Sequence, residues 1–219
     1  MPADAMPHLV MLAEPASARA EAFRVLRARL QQAREPRPPR SFMVTSPTAV
    51  EQRHLVAANL ALAFAESGTP VIAVDADLHR PQLHTLLSLP ETPGLLQCLA
   101  DGLDGGRALR SGPLPGLSVL PAGGTHAVPA QLVGAKGLET LLATLGAKEI
   151  VLIVVAPPVL PVADASLMAP KVDGVILLSA AYKTTRASLR EAKARLDGVG
   201  ATILGTVLDG VSDSSGGRY

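Results

Sequence analysis

The sequence predicts an α/β domain with a mainly parallel sheet and helices on both faces. Three observations carry this. Short Val/Ile/Leu-rich runs recur along the chain without polar–apolar alternation, as in strands buried on both sides. Helical patterns separate most of these runs. The chain has 219 residues, 48% of them hydrophobic, enough for one well-buried core.

Taken in order, the elements begin with a loosely structured stretch to about residue 17, where Pro2, Pro7 and Pro15 argue against a continuous helix. From Ser17, a suitable N-cap with Glu21 in the first turn, the residues Ala22, Val25, Leu26, Arg29 and Leu30 recur at helical spacing. Residues 34–40 (REPRPPR) read as an extended connector. The main domain starts at Ser41. Strands are expected at 41–46, 70–77, 117–123, 149–158, 174–180 and 201–209. Helices are expected at 54–68, closed by Gly68, at 130–147 and at 184–200. The division is therefore 1–40 (helix plus connector), 41–211 (the α/β domain) and 212–219 (a polar Gly/Ser-rich tail).

Composition narrows the function classes. Lys and Arg total 20 and Asp and Glu 19, a net charge of +1 that gives no reason to expect nucleic acid as partner. Cys98 is the single cysteine, so no internal disulfide or CxxC metal site can form, and a lone cysteine is ordinarily a small buried hydrophobe. The most apolar stretch, 150–163, is interrupted by Pro157, Pro158 and Pro161 and is too short to span a bilayer. The N-terminus lacks the basic start and apolar block of a signal peptide, so the expected location is cytoplasmic.

In a parallel α/β sheet the ligand site lies at the carboxyl ends of the strands. The first junction runs Thr45-Ser46-Pro47-Thr48-Ala49-Val50-Glu51-Gln52-Arg53-His54-Leu55, followed by VAANLA. The second strand ends VIAVDADLHRP, with Asp75, Asp77, Arg80 and Pro81. The fourth ends IVLIVVAPPVLPVADA, and the last GTVLDGV. Near the start, EAFRVLR places Glu21, Arg24 and Arg27 three residues apart.

Together, and in this order, these segments resemble the bacterial tyrosine kinases of capsule and exopolysaccharide export, P-loop proteins of the deviant Walker type. The resemblance runs from about residue 17 to 211 and implies a P-loop NTPase-like fold. It also implies that 45–61 corresponds to the phosphate loop. There Val50 and Gln52 stand for its glycines, Arg53 for the lysine, His54 for the magnesium-binding hydroxyl and Leu55 for the next Thr, while Glu51 matches. Asp75 and Asp77 match the two acids that serve magnesium and the acceptor hydroxyl. Pro157, Pro158, Asp164 and Ala165 match the Walker B segment, but Val155 replaces its Asp. Asp209 replaces the Asn that reads adenine. Glu21, Arg24 and Arg27 match the helix that packs one subunit onto the next in a ring. The family's C-terminal tyrosine cluster is reduced to Tyr219, a candidate phosphoacceptor, and Tyr182 is the only other tyrosine.

The replacements disfavour ATP. A phosphate cradle needs inward N–H groups and the freedom of glycine, whereas Val50 is stiff and strained at positive φ. Arg53 retains a charge that can meet phosphate. His54 and Leu55 cannot supply a hydroxyl to magnesium, and a carboxylate at 209 cannot donate to adenine. The degenerate pocket thus comprises Thr48, Val50, Gln52, Arg53, His54, Leu55 and Asp209, with Arg53, His54 and Arg80 still able to hold an anion. In the plainer view Arg53 and His54 form an exposed polar turn. Asp75 and Asp77 then cap the following turn and pair with Arg53 or Arg80.

The leading expectation is a non-catalytic, homo-oligomeric scaffold or regulator with no cofactor. It would lie at the inner face of the plasma membrane through a membrane polysaccharide co-polymerase. The alternative is an active or weak tyrosine autokinase using ATP and Mg2+ through Arg53, Asp75 and Asp77. A partition or septum-placement ATPase is a third reading, opposed by the Glu-x-x-Arg-x-x-Arg helix.

Overall fold

A computed structural model describes residues 8–33, 38–49, 52–146 and 149–210. The strands β1 (Ser41–Thr45), β2 (Val71–Asp75), β3 (Arg110–Ser111), β4 (Leu117–Leu120), β5 (Val151–Val155), β6 (Gly174–Ala180) and β7 (Ile203–Asp209) form one sheet ordered β3-β4-β2-β5-β1-β6-β7. Every pairing is parallel except β3 with β4. Because side chains alternate across a strand, each central strand feeds two cores. Phe42, Val44, Val71, Ala73, Ile153 and Ile176 face one layer; Met43, Ile72, Val74, Val154 and Leu177 face the other. That double burial explains the unbroken Val/Ile/Leu runs.

The first layer holds α1 (Val10–Ala13), α2 (Ala18–Gln31), α3 (Arg53–Glu66) and α4 (Leu83–Leu86). The helix α3 is apolar on nearly every side, because the sheet covers one face and α1 and α2 cover another. Phe64 stacks on Phe42 with ring centroids 6.0 Å apart. Gly68, at φ 78°, closes α3 in a left-handed conformation that glycine adopts without strain. Ser17 caps α2 by accepting from the Ala20 N–H. The second layer holds α5 (Leu95–Ala100), α6 (Gly105–Ala108), α7 (Pro129–Gly134), α8 (Lys136–Leu145), α9 (Asp164–Met168) and α10 (Arg186–Gly198). No helix among the described residues is long and apolar enough to cross a membrane.

Three sequence expectations need correction. The segment before Ser17 is ordered from His8 onward: Leu9, Val10 and Met11 are buried against α3. Asn59 ties that segment down, accepting from the Met11 N–H and donating to His8 O. The helix expected over 130–147 is two helices, broken at Ala135, whose ψ of 161° is extended. A seventh strand, β3, pairs antiparallel at the sheet edge, and its two residues are too few to leave a periodic signal. Residues 38–40 enter β1 without regular structure, while the rest of the basic connector and the tail from Val211 lie outside the described residues.

The first layer is clamped at its surface. Arg24 of α2 grips Glu66 of α3 through two parallel bonds of 2.8 and 2.7 Å, and also reaches Glu21 and Pro15 O. The guanidinium holds the Glu66 carboxyl below its ordinary value. A depressed folded pKa gives stability that is present above the unfolded value and lost as pH falls. Glu66→Gln should therefore lower the thermal midpoint near neutral pH and flatten the decline between about pH 5 and pH 3, where wild type loses this contribution. Melting curves across that range check it.

Candidate functional site

The strand ends β1, β2 and β5 are adjacent in the sheet, so their following loops converge. Asp75 closes β2 with no solvent exposure. Its Oδ2 accepts from the Gln82 and Leu83 N–H groups, both at 2.9 Å, and so holds the start of α4. Its Oδ1 accepts from the Asp77 N–H at 3.3 Å and lies 3.2 Å from His54 Nε2. A carboxylate oxygen only accepts, which places the shared proton on Nε2. Asp77 accepts from the His79 and Arg80 N–H groups through Oδ1, capping the turn, and pairs with Arg53 through Oδ2.

Arg53 is the hub. Its guanidinium is buried against Ser46 and Thr48 rather than turned to solvent, with 5% of the residue exposed. Nη2 donates to Asp77 Oδ2 at 3.0 Å, Nε to Ala156 O at 3.1 Å, and Nη1 to Ser46 Oγ at 3.1 Å and Thr48 O at 3.3 Å. Ser46 Oγ itself donates to Thr48 O at 2.7 Å, so the loop after β1 wraps onto the guanidinium. Thr45 Oγ1 donates to Pro157 O at 2.7 Å, and the Val159 N–H to Ser46 O at 2.8 Å, which locks the β1 and β5 exits together.

The exposed-turn reading of Arg53 and His54 is therefore overturned: both are buried because two buried carboxylates need them. Of the alternatives for the acids, Asp77 pairs with Arg53, and Arg80 contributes its backbone N–H. Gln52 is exposed at the N-cap of α3 and makes no side-chain cap, and Leu55 is half-buried one turn on. Val50 and Glu51 lie outside the described residues, as does Tyr219. Val155 is fully buried in the core, so no carboxylate stands at the end of β5.

Asp209 is not brought to this cluster. It lies at the end of β7, on a groove of about 810 Å³ between that strand and α2, with Phe23, Leu26, Leu55 and Val207. Glu21 and Arg24 sit on α2, Arg24 already engaged with Glu66, and the Arg27 Nε is buried without a partner among the described residues. One pair escaped sequence reasoning: His79 Nε2 bonds Asp164 Oδ2 at 3.3 Å, beside the acids that follow β2. The residues are 85 apart, and no spacing rule links them.

These contacts do not fit a magnesium nucleotide. Each oxygen of Asp75 and Asp77 already accepts from protein, and positions 53, 54 and 55 offer no hydroxyl to a metal. Among the described residues, no three His, Cys, Asp or Glu side chains are arranged to hold a metal ion.

A doubly wound parallel sheet with a phosphate-loop-like turn after β1 and two acids after β2 defines a P-loop NTPase-type protein. Comparison with known proteins narrows the class. The chain is 31% identical to the tyrosine-protein kinase YwqD of Bacillus subtilis over 212 residues, covering 97% of this chain and 90% of that one. It is 27% identical over 205 residues to the tyrosine-protein kinase etk of Escherichia coli, covering 94% of this chain but 28% of that one. The solved kinase domain of that Escherichia coli protein superposes with a TM-score of 0.89 at 26% identity, over 96% of this chain and 83% of the domain. The septum site-determining protein MinD of Pyrococcus horikoshii shares the fold, with a TM-score of 0.66 at 23% identity, over 77% of this chain and 69% of that one. No family model matches the chain. The chain belongs to the bacterial tyrosine-protein kinases.

The buried pair sets a test. Arg53→Ala leaves Asp77, 1% exposed, without its counter-charge and should cost ~3–5 kcal/mol in urea unfolding. The double change Arg53→Met with Asp77→Asn keeps an acceptor for the His79 and Arg80 N–H groups and should recover most of that loss.

Proposed function

We propose that this chain is a non-catalytic member of its family, a scaffold or regulator of a membrane polysaccharide co-polymerase in capsule or exopolysaccharide export. The observation that carries the reading is the Arg53 guanidinium. It is shared among Asp77, Ser46 Oγ, Thr48 O and Ala156 O, so its donors are engaged by the protein rather than offered to a phosphate. Family membership supports the pathway. A relative from Klebsiella pneumoniae is named for its place in a cps region, and a solved chimeric protein, CapA2B2, superposes with a TM-score of 0.87. By the same reading the protein sits at the inner face of the membrane through its partner.

The scaffold assembles with further copies through α2. Glu21, at 63% side-chain exposure, and Val25 are open on that helix, whereas Arg24 serves the contact with α3. A second reading, a weak ATP-dependent autokinase, is favoured by one fact: Asp75 and Asp77 are both present at the end of β2. It requires Arg53 to leave its four partners.

Calorimetric titration of ATP with magnesium, and of ADP, separates the two. The expected result is no heat of binding up to millimolar nucleotide from protein shown to be folded. Micromolar binding, about −8 kcal/mol, that disappears in Asp75→Asn would establish the autokinase instead.

A further inference from the structure

Tyr182 is the conspicuous residue outside the cleft. It follows β6 in a tight turn and is 97% exposed, the most exposed large hydrophobic side chain among the described residues. Its backbone stands at φ 63°, in the left-handed region that bulky side chains avoid. The turn is held from several directions. The Lys183 and Thr184 N–H groups both donate to Ala180 O, the Ala180 N–H donates to Thr184 Oγ1, and the Ala181 N–H donates to Asp209 O at the neighbouring strand end. The fold thus imposes an unfavourable conformation that lifts the phenol into solvent, away from both cores. Strain held in this way with no packing return points to a role for the side chain itself.

The charge around it indicates which role. Lys183, Arg186 and Arg190 are exposed, and no Asp or Glu occurs from Ala180 to Arg190. Arg186 opens α10, a 13-residue helix capped by Thr185 through the Ser188 N–H, so the positive end of its dipole lies beside the turn. The nearest acid across the sheet is Asp209, paired in register with Ala180. A neutral phenol has no charge to pair with this cationic surround, whereas a phosphorylated one brings about two negative charges that Lys183, Arg186 and the helix end can meet.

We propose that Tyr182 is a phosphate acceptor, modified in trans by a catalytically competent tyrosine kinase. Magnesium ATP on that enzyme is the donor. The Tyr182 Oη–P bond forms, the bond from the γ-phosphorus to the β,γ-bridging oxygen breaks, ADP leaves and the phenolic proton passes to solvent. The proposal rests on the non-catalytic reading only in assigning the donor to another chain.

Incubating the full chain with an active bacterial tyrosine-protein kinase and magnesium ATP, then mapping phosphate by tandem mass spectrometry, tests it. Phosphate should appear on Tyr182, persist in Tyr219→Phe, vanish from that site in Tyr182→Phe, and be absent when the kinase is omitted. Phosphate confined to Tyr219, or none while the kinase modifies itself, overturns the proposal. Phosphate on Tyr182 without added kinase would uphold the acceptor site and overturn the non-catalytic reading, so the two fail separately.

Discussion

Two carboxylates at the end of a central strand must be neutralised, and the site is organised around that requirement. Asp75 and Asp77 follow β2, which lies between β4 and β5 and is covered by helices on both faces. An uncompensated charge there would carry a large desolvation cost. His54 and Arg53 supply the compensation from the first turn of α3, and backbone N–H groups of the 77–83 segment complete it. The pairing also fixes geometry. Because Arg53 further binds Ser46, Thr48 and Ala156, one guanidinium ties the exits of β1, β2 and β5 to the start of α3.

Among the described residues, that arrangement is a closed set of protein–protein bonds. A phosphate-binding loop keeps donors pointing into open space until an anion arrives. Here the donors and acceptors meet one another, and the space among them is occupied by side chain. A ligand must therefore compete with interactions that are charged and buried. Changing one partner alone leaves the others exposed as buried, unsatisfied groups. The cluster is accordingly suited to holding the strand ends in place.

The fold was largely legible, because its cause is periodic. Runs such as VIAVD and GVILLSA are apolar on both faces, which only a covered parallel sheet requires. The order of motifs identified the family for a similar reason: chain direction brings the carboxyl end of every parallel strand to one side of the sheet. What escaped was set by packing at distance. Arg53 and His54 looked like surface residues at a helix start, yet their burial depends on acids more than twenty residues away. The break at Ala135 lies between Gly134 and Gly137, which weaken a helix interior, a signal that the apolar helical spacing on either side outweighed. The early helix α1 is four residues long and exists because α3 offers Asn59 and an apolar surface.

The surface follows a related logic in the opposite sense. Arg24, which the motif alone would assign to a neighbour, is consumed within the chain by Glu66, so the cohesion of α2 and α3 and any contact with another subunit draw on the same few residues. Tyr182 is the converse case. Its turn is held by several hydrogen bonds, yet the side chain is almost fully exposed. In the interior, polar groups are explained by the partners they find. At the β6 exit, a costly backbone conformation presents a side chain to solvent without a packing return, which is the observation that the proposed modification of Tyr182 explains.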